Sequence, residues 1–173
     1  MQVPHTEDGR AQVGYRTTYQ ELSAFEVTGV TQIVVSGGEL YGEVRSDGRW
    51  EWLKRIAGED KTIYGVASFD KECSEGRYRY TLGVKAPAGP LRDAWPDSDL
   101  FSIHVRPSGW VVFALEDFAA QYGVLWRDDP YALVRKLGWE FNSAVGLHID
   151  AFGPCYESDH GGMEFMMPVR KSA

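Results

Sequence analysis

The stretch Tyr78–Val84 alternates without exception. Tyr78, Tyr80, Leu82 and Val84 fall on one side, while Arg77, Arg79, Thr81 and Lys85 fall on the other. A period of two over that length specifies a strand with one face on a core. Similar signals recur along the chain in a fixed order. Tyr19–Val35 is rich in β-branched and aromatic residues, with Gly29 inside it marking a bulge or a close approach of two backbones. Ser36-Gly37-Gly38 breaks that run. A short helix follows, with Asp47 as its cap, Trp50, Leu53 and Ile56 at three-residue spacing, and Gly58 at its end. Thr62–Phe69 and Tyr78–Val84 then read as a strand pair.

The second half repeats this order. Phe101, Ile103 and Val105 alternate with Ser102, His104 and Arg106, and strand character resumes over Trp110–Leu115 after a turn at Pro107-Ser108-Gly109. Asp129-Pro130 starts a helix that carries Leu133, Val134, Leu137 and Phe141 on one stripe and is expected to reach about Asn142. After a loop, Met163, Phe165, Met167 and Val169 form the last strand. Two strand-helix-strand-strand modules, about 18–86 and 100–171, are joined by a Pro-rich linker at 87–99 behind a flexible segment at 1–17. The expectation is an α+β fold of one domain, 18–173: an antiparallel sheet, two main helices, a pseudo-twofold axis and a cleft on that axis.

Charge and composition narrow the partners. With 18 basic against 25 acidic residues the net charge is −7, the wrong sign for a phosphate backbone, so direct DNA binding is not expected. No apolar run reaches the ~20 residues of a membrane span, and no signal-peptide core is present, so a cytoplasmic location is expected. Cys73 and Cys155 are far apart and read as free thiols. Trp, Tyr and Phe supply 13% of the residues, enough to line a cavity for an apolar guest as well as a core.

Glu157, after Tyr156 and before a glycine pair, is the acid best placed to attract a lipophilic cation among rings. Tyr64, Tyr80, Trp110, Phe113, Tyr156 and Phe165 fall on or beside strands, and Trp139 and Phe141 fall on the second helix; most are core, and some are candidates for the wall of a cleft. The segment His148–His160 collects two His, two Asp, one Cys and one Glu, but it has neither HExxH nor CxxC spacing, so it reads as a polar connection and no metal site is expected. His104 reads as a surface residue. No GxSxG elbow is present, and Ser36-Gly37-Gly38 lacks the lysine of a phosphate loop.

Taken together, Glu21–Val30, Ile63–Val66, Tyr78–Val84, Ile103–Phe113, Tyr156-Glu157 and Glu164–Val169, in that order and spacing, give a chain that resembles the GyrI-like small-molecule-binding domain. This is the effector-binding domain of AraC- and MerR-type bacterial transcription activators, and the resemblance runs from about Tyr19 to Arg170. It implies two strand-helix-strand-strand modules around a pseudo-dyad, and a cleft for lipophilic, often cationic molecules without a cofactor. It also implies that Glu157, beside Tyr156, is the family's buried acid, that Gly109-Trp110 is its Gly-aromatic step, and that Trp139 or Phe141 stands for the tryptophan of the second helix. The ligand-binding set so implied is Glu157, Tyr156, Trp110, Tyr80, Tyr64, Phe165, Trp139 and Phe141. Glu116–Asp128 is longer than the usual connection and could serve as a lid. No helix-turn-helix precedes Tyr19, so the chain reads as a stand-alone form that holds a small molecule or reports its occupancy to a regulatory protein partner. The residues favour non-catalytic binding. The alternatives within the family are a hydrolase of cyclopropane-bearing toxins that uses Glu157, and an inhibitor of a protein such as DNA gyrase.

Overall fold

The computed structural model describes residues 16–87 and 100–172. The segments at 1–15 and 88–99, where the flexible start and most of the Pro-rich linker are expected, lie outside the described residues, and Arg16 and Thr17 already belong to a strand. The first half contains β1 (Arg16–Leu22), β2 (Phe25–Val34), α1 (Gly37–Ser46), α2 (Arg49–Ile56), β3 (Ile63–Ser68) and β4 (Tyr78–Val84). The second contains β5 (Leu100–Val105), β6 (Ser108–Leu115), α3 (Phe118–Arg127), α4 (Pro130–Lys136), β7 (Trp139–Phe141), β8 (Leu147–Phe152) and β9 (Met163–Lys171).

All nine strands form one sheet in the order β1-β6-β9-β8-β3-β4-β2-β5, with β7 pairing to the far end of β9, and every pairing is antiparallel. Read from either end, the order is the same pattern of elements, and its midpoint is the β3–β8 pair. The pseudo-twofold of the duplicated α+β plan therefore passes between these two strands. Each half lends its first strand to the other: β1 lies on β6, and β5 lies on β2.

That exchange bends the sheet. Only two residues separate Leu22 from Phe25, and two separate Val105 from Ser108, so each link spans at most roughly 11 Å at 3.8 Å per Cα step. Yet β1 and β2, like β5 and β6, sit towards opposite ends of the strand order. The ends must curl together, and the inner face packs on itself. Val27, Ile103 and Val105 from one end share a buried cluster with Trp110 and Val112 from the other, over Tyr64, Val66 and Ile149 in the middle. The outer face carries the helices over a larger core that includes Val30, Leu40, Trp50, Leu53, Leu82, Phe113, Leu133, Phe152 and Phe165.

Several element boundaries depart from the sequence expectations. The run 19–35 is two strands, not one. Ser36-Gly37-Gly38, read as a break, opens a helix: Ser36 is the N-cap, and Glu39 Oε1 accepts the Ser36 backbone N–H at 3.0 Å in a capping box. Asp47, expected to begin a helix, instead ends α1. The stretch 116–128 is not a loop but α3, capped by Asp117 and packed on the outer face. The helix from Asp129-Pro130 stops at Lys136, because Gly138 takes φ 84°, and Trp139–Phe141 then pairs with β9 as a strand. The segment 147–152, expected as loop, is the buried strand β8.

The close backbone approach expected at Gly29 is present. Gly29 faces Gly83 across β2 and β4, and a Cβ there would lie 2.6 Å from the Leu82 carbonyl carbon. Neither backbone can yield without opening the ladder. Gly29→Ala is expected to lower stability by about 1–3 kcal/mol, measured by urea denaturation, with the cost carried by overpacking.

Candidate functional site

On the outer face, β8 places His148, Asp150 and Phe152 side by side, while Leu147, Ile149 and Ala151 face the inner cluster. Asp150 is 4% exposed and carries a carboxylate into the interior. A buried charge needs compensating hydrogen bonds, and two tyrosines supply them. Tyr80 Oη donates to Asp150 Oδ2 at 2.7 Å, and Tyr122 Oη donates to Oδ1 and Oδ2 at 3.0 and 3.1 Å. Burial pushes the Asp150 carboxyl up to about 6, even though both hydroxyls favour the charged form. The same burial holds the two phenols well above 10, so they remain protonated donors.

The sheet register makes this contact possible. Asp150 stands opposite Gly65 of β3, and a side chain at Gly65 would collide with the Tyr80 hydroxyl that reaches Asp150. Tyr122 arrives from the opposite direction, on α3. The acid thus sits on the pseudo-twofold seam, held by one hydroxyl from each half.

In front of these hydroxyls lies a cavity of about 420 Å³, within the range of small-molecule sites. Tyr78, Tyr80, Tyr122, Trp126, Tyr131 and His148 line it, and Val35 and Phe69, 61% and 59% exposed, stand at its rim. Phe165 packs behind Trp126 and His148, with centroids 5.5 and 5.3 Å away. Each hydroxyl spends its hydrogen bond on Asp150, and both phenols also line the cavity. His148 is buried among Trp126, Phe165 and Phe69. Desolvation lowers its imidazole to about 4, and its Nδ1 has no hydrogen-bond partner.

The residues singled out from the sequence are dispersed. Tyr80 lines the cavity and Phe165 backs it. Glu157, expected as a buried acid, is exposed in the loop after β8, whereas Asp150 is buried. Tyr156 is fully buried, but in the core below α1, hydrogen-bonded to Tyr41 at 2.7 Å. Tyr64 and Trp110 face the inner cluster on the other side of the sheet. Trp139 stacks on Tyr19 at 4.4 Å, and Phe141 packs on Tyr131, since both sit on the short strand β7 rather than a helix. Phe113 is core. The lid expected over 116–128 corresponds to α3, which contributes Tyr122 and Trp126 to the cavity wall. Sequence reasoning missed Asp150 and His148. The signal was the alternation within 147–152, hidden because its buried outer-face positions include a histidine and an aspartate.

A second groove of about 700 Å³ opens on the other side near Tyr64, Lys85, Ala151 and Met166. There Lys85 Nζ lies 3.9 Å from the Phe25 centroid and 4.6 Å from that of Tyr64, and Tyr64 Oη donates to Asp60 at 2.5 Å. Its one aromatic face is thus already occupied by an internal cation.

No protein-family model matches the sequence, and no curated protein matches it. Solved structures do. The chain is similar to SAV2435 bound to tetraphenylphosphonium (TM-score 0.64, 15% identity, 90% of this chain and 94% of that one). It is similar to the EcmrR C-terminal domain (TM-score 0.61, 12% identity, 91% and 99%). It is also similar to a hydrolase encoded by lin2189 from Listeria innocua (TM-score 0.50, 11% identity, 89% and 91%). The chain has the fold of an effector-binding domain. More narrowly, that fold is the GyrI-like one, with both modules present.

The two buried titrating groups pull stability in opposite directions. Asp150 has a folded value above its ordinary 3.8, so the native state holds the extra proton and stability falls as pH rises from about 4 to about 6. His148 has a folded value below its ordinary 6.5, so the unfolded state holds the extra proton and stability rises over about 4 to 6.5. Each effect is worth about 3 kcal/mol, and in the wild type they largely cancel. Relative to wild type, Asp150→Asn should gain stability as pH rises through this window, and His148→Leu should lose it. Denaturation curves at pH 4.0 and 6.5 check both signs.

Proposed function

We propose that this chain is a small-molecule-binding effector domain that receives a lipophilic cation in the cavity between α3 and the β4–β3–β8 face. The observation that carries this reading is the Asp150 carboxylate, buried on the seam behind the hydroxyls of Tyr80 and Tyr122. A single desolvated acid behind a wall of aromatic rings supplies what such a guest needs. The rings of Tyr78 and Trp126 offer their negative faces, and the carboxylate offers a field that water does not screen. The tyrosine oxygens pass that charge forward without exposing the acid. The tetraphenylphosphonium carried by SAV2435, a protein of the same fold, supports the choice of ligand class. Any output through a regulatory protein partner would follow from occupancy of this cavity.

A second reading is hydrolysis. It is supported by the shared fold of the Listeria innocua hydrolase and by an acid that can lose or take a proton near pH 6. In that case Asp150, not Glu157, is the group that would activate water. Turnover of a cyclopropane-bearing electrophile at substoichiometric protein would establish it, and stoichiometric capture alone would reject it.

For the binding reading, calorimetric titration with tetraphenylphosphonium at pH 7.5 is expected to show Asp150→Asn about ten-fold or more weaker than wild type, and Glu157→Gln unchanged. Wild-type affinity is expected to fall as pH drops below about 6, because the proton competes with the cation for the same carboxylate. An Asp150→Asn protein that binds as tightly as wild type would remove the carboxylate from the site.

A further inference from the structure

Among the described residues three large hydrophobic side chains stay exposed, and two of them, Val35 and Phe69, stand at the mouth of the cavity. Phe69 follows β3 directly and continues its outer face after Gly65 and Ala67. Its ring leans on Tyr78 and His148, with centroids at 5.7 and 6.4 Å, yet 59% of the residue remains open to solvent. A ring held half in water beside a cavity gains from any apolar group that arrives with the guest.

That ring sits on a segment gripped from elsewhere. Phe69 opens the connection 69–77 between β3 and β4. Arg79 stands opposite Ser68 in the β3–β4 ladder, and strand alternation points it away from the cavity that its neighbours Tyr78 and Tyr80 line. Its Nε donates to Asp70 Oδ2 at 2.6 Å and its Nη2 donates to Glu72 Oε2 at 2.7 Å, while its guanidinium carbon lies 4.5 Å from the Phe101 centroid. Arg79 is only 9% exposed, and a guanidinium so buried requires both carboxylates. The pair of contacts therefore fixes residues 70 and 72, and with them the backbone that carries Phe69.

We infer that Phe69 is a contact residue for the apolar body of the guest, and that Arg79, from the opposite face of the sheet, is the positioning residue that holds it at the mouth. This rests on the cation-binding reading and narrows it. The guest carries an apolar group that reaches out of the cavity past Phe69 and Val35, while its charge faces Asp150. A compact cation that fits wholly inside gains nothing from this rim.

Calorimetric titration of the full chain with tetraphenylphosphonium at pH 7.5 reads both roles. Phe69→Ala is expected to weaken binding about five-fold, and Arg79→Met about three-fold. Because Arg79 acts through the ring, adding Arg79→Met to Phe69→Ala should cost no more than about 1.5-fold further, a non-additivity that a merely structural role does not produce. The double variant Asp70→Asn/Glu72→Gln releases the same grip from its more exposed end and should match Arg79→Met without replacing a buried side chain. In wild-type protein with carbon-13-labelled phenylalanine, the Phe69 ring protons are expected to show nuclear Overhauser contacts to the phenyl protons of bound tetraphenylphosphonium. Absence of those contacts, or a Phe69→Ala protein that binds as tightly as wild type, would overturn the contact at the mouth. Equal losses from Arg79→Met with and without the Phe69 ring would overturn the positioning role. Either failure leaves the weakening by Asp150→Asn intact, whereas an Asp150→Asn protein with unchanged affinity would sink the underlying cation site itself.

Discussion

Two links of two residues each govern this molecule. Residues 23–24 and 106–107 join strands from opposite ends of the strand order, and chain connectivity leaves the sheet no choice but to curl. Once curled, it has an inner face that packs on itself and an outer face that the four described helices cover. The central pair, β3 and β8, is thereby fixed under α3, and this is where Asp150 meets one tyrosine from each half. The cavity is a by-product of closure: helices that cover a strongly bent sheet leave room on the seam.

The chemistry of the seam depends on what is missing as much as on what is present. Gly65 lacks the side chain that would block Tyr80, so a phenol can lie flat across β3 and reach the acid on β8. The acid in turn is not bare. Its two phenolic donors moderate the cost of burying it, and burial still leaves the carboxyl titrating near neutrality. A group so poised can respond to a nearby positive charge, whereas a solvent-exposed acid such as Glu157 would be screened.

Much of this fold was legible in the sequence. The alternation in Tyr78–Val84 and Met163–Val169, and the repeated element order, were sufficient for two matched modules on an antiparallel sheet. Boundaries suffered where local signals were ambiguous. Ser36 reads as a break because its capping partner, Glu39, acts only once the helix exists, and Gly138 ends a helix whose apolar stripe continues in sequence to Phe141. The site was less legible because its acid breaks the usual pattern. On β8 the polar residues lie on the buried outer face, and the tertiary partners Tyr80 and Tyr122 make the burial of Asp150 tolerable. Sequence periodicity records which side a residue is on, but not whether partners 28 and 70 positions away will hydrogen-bond it. The exposed Glu157 had the better local context and the worse surroundings.

The traded outer strands carry one last implication. A chain of half this length with the same layout could finish its sheet only by exchanging arms with a second copy, and its integrity would then vary with how many copies were nearby. Fusing both copies in tandem makes the exchange internal, so the sheet closes at any dilution. Fusion also frees the two halves to diverge, and a site on their axis can then be lopsided: an aspartate on one central strand, a glycine opposite.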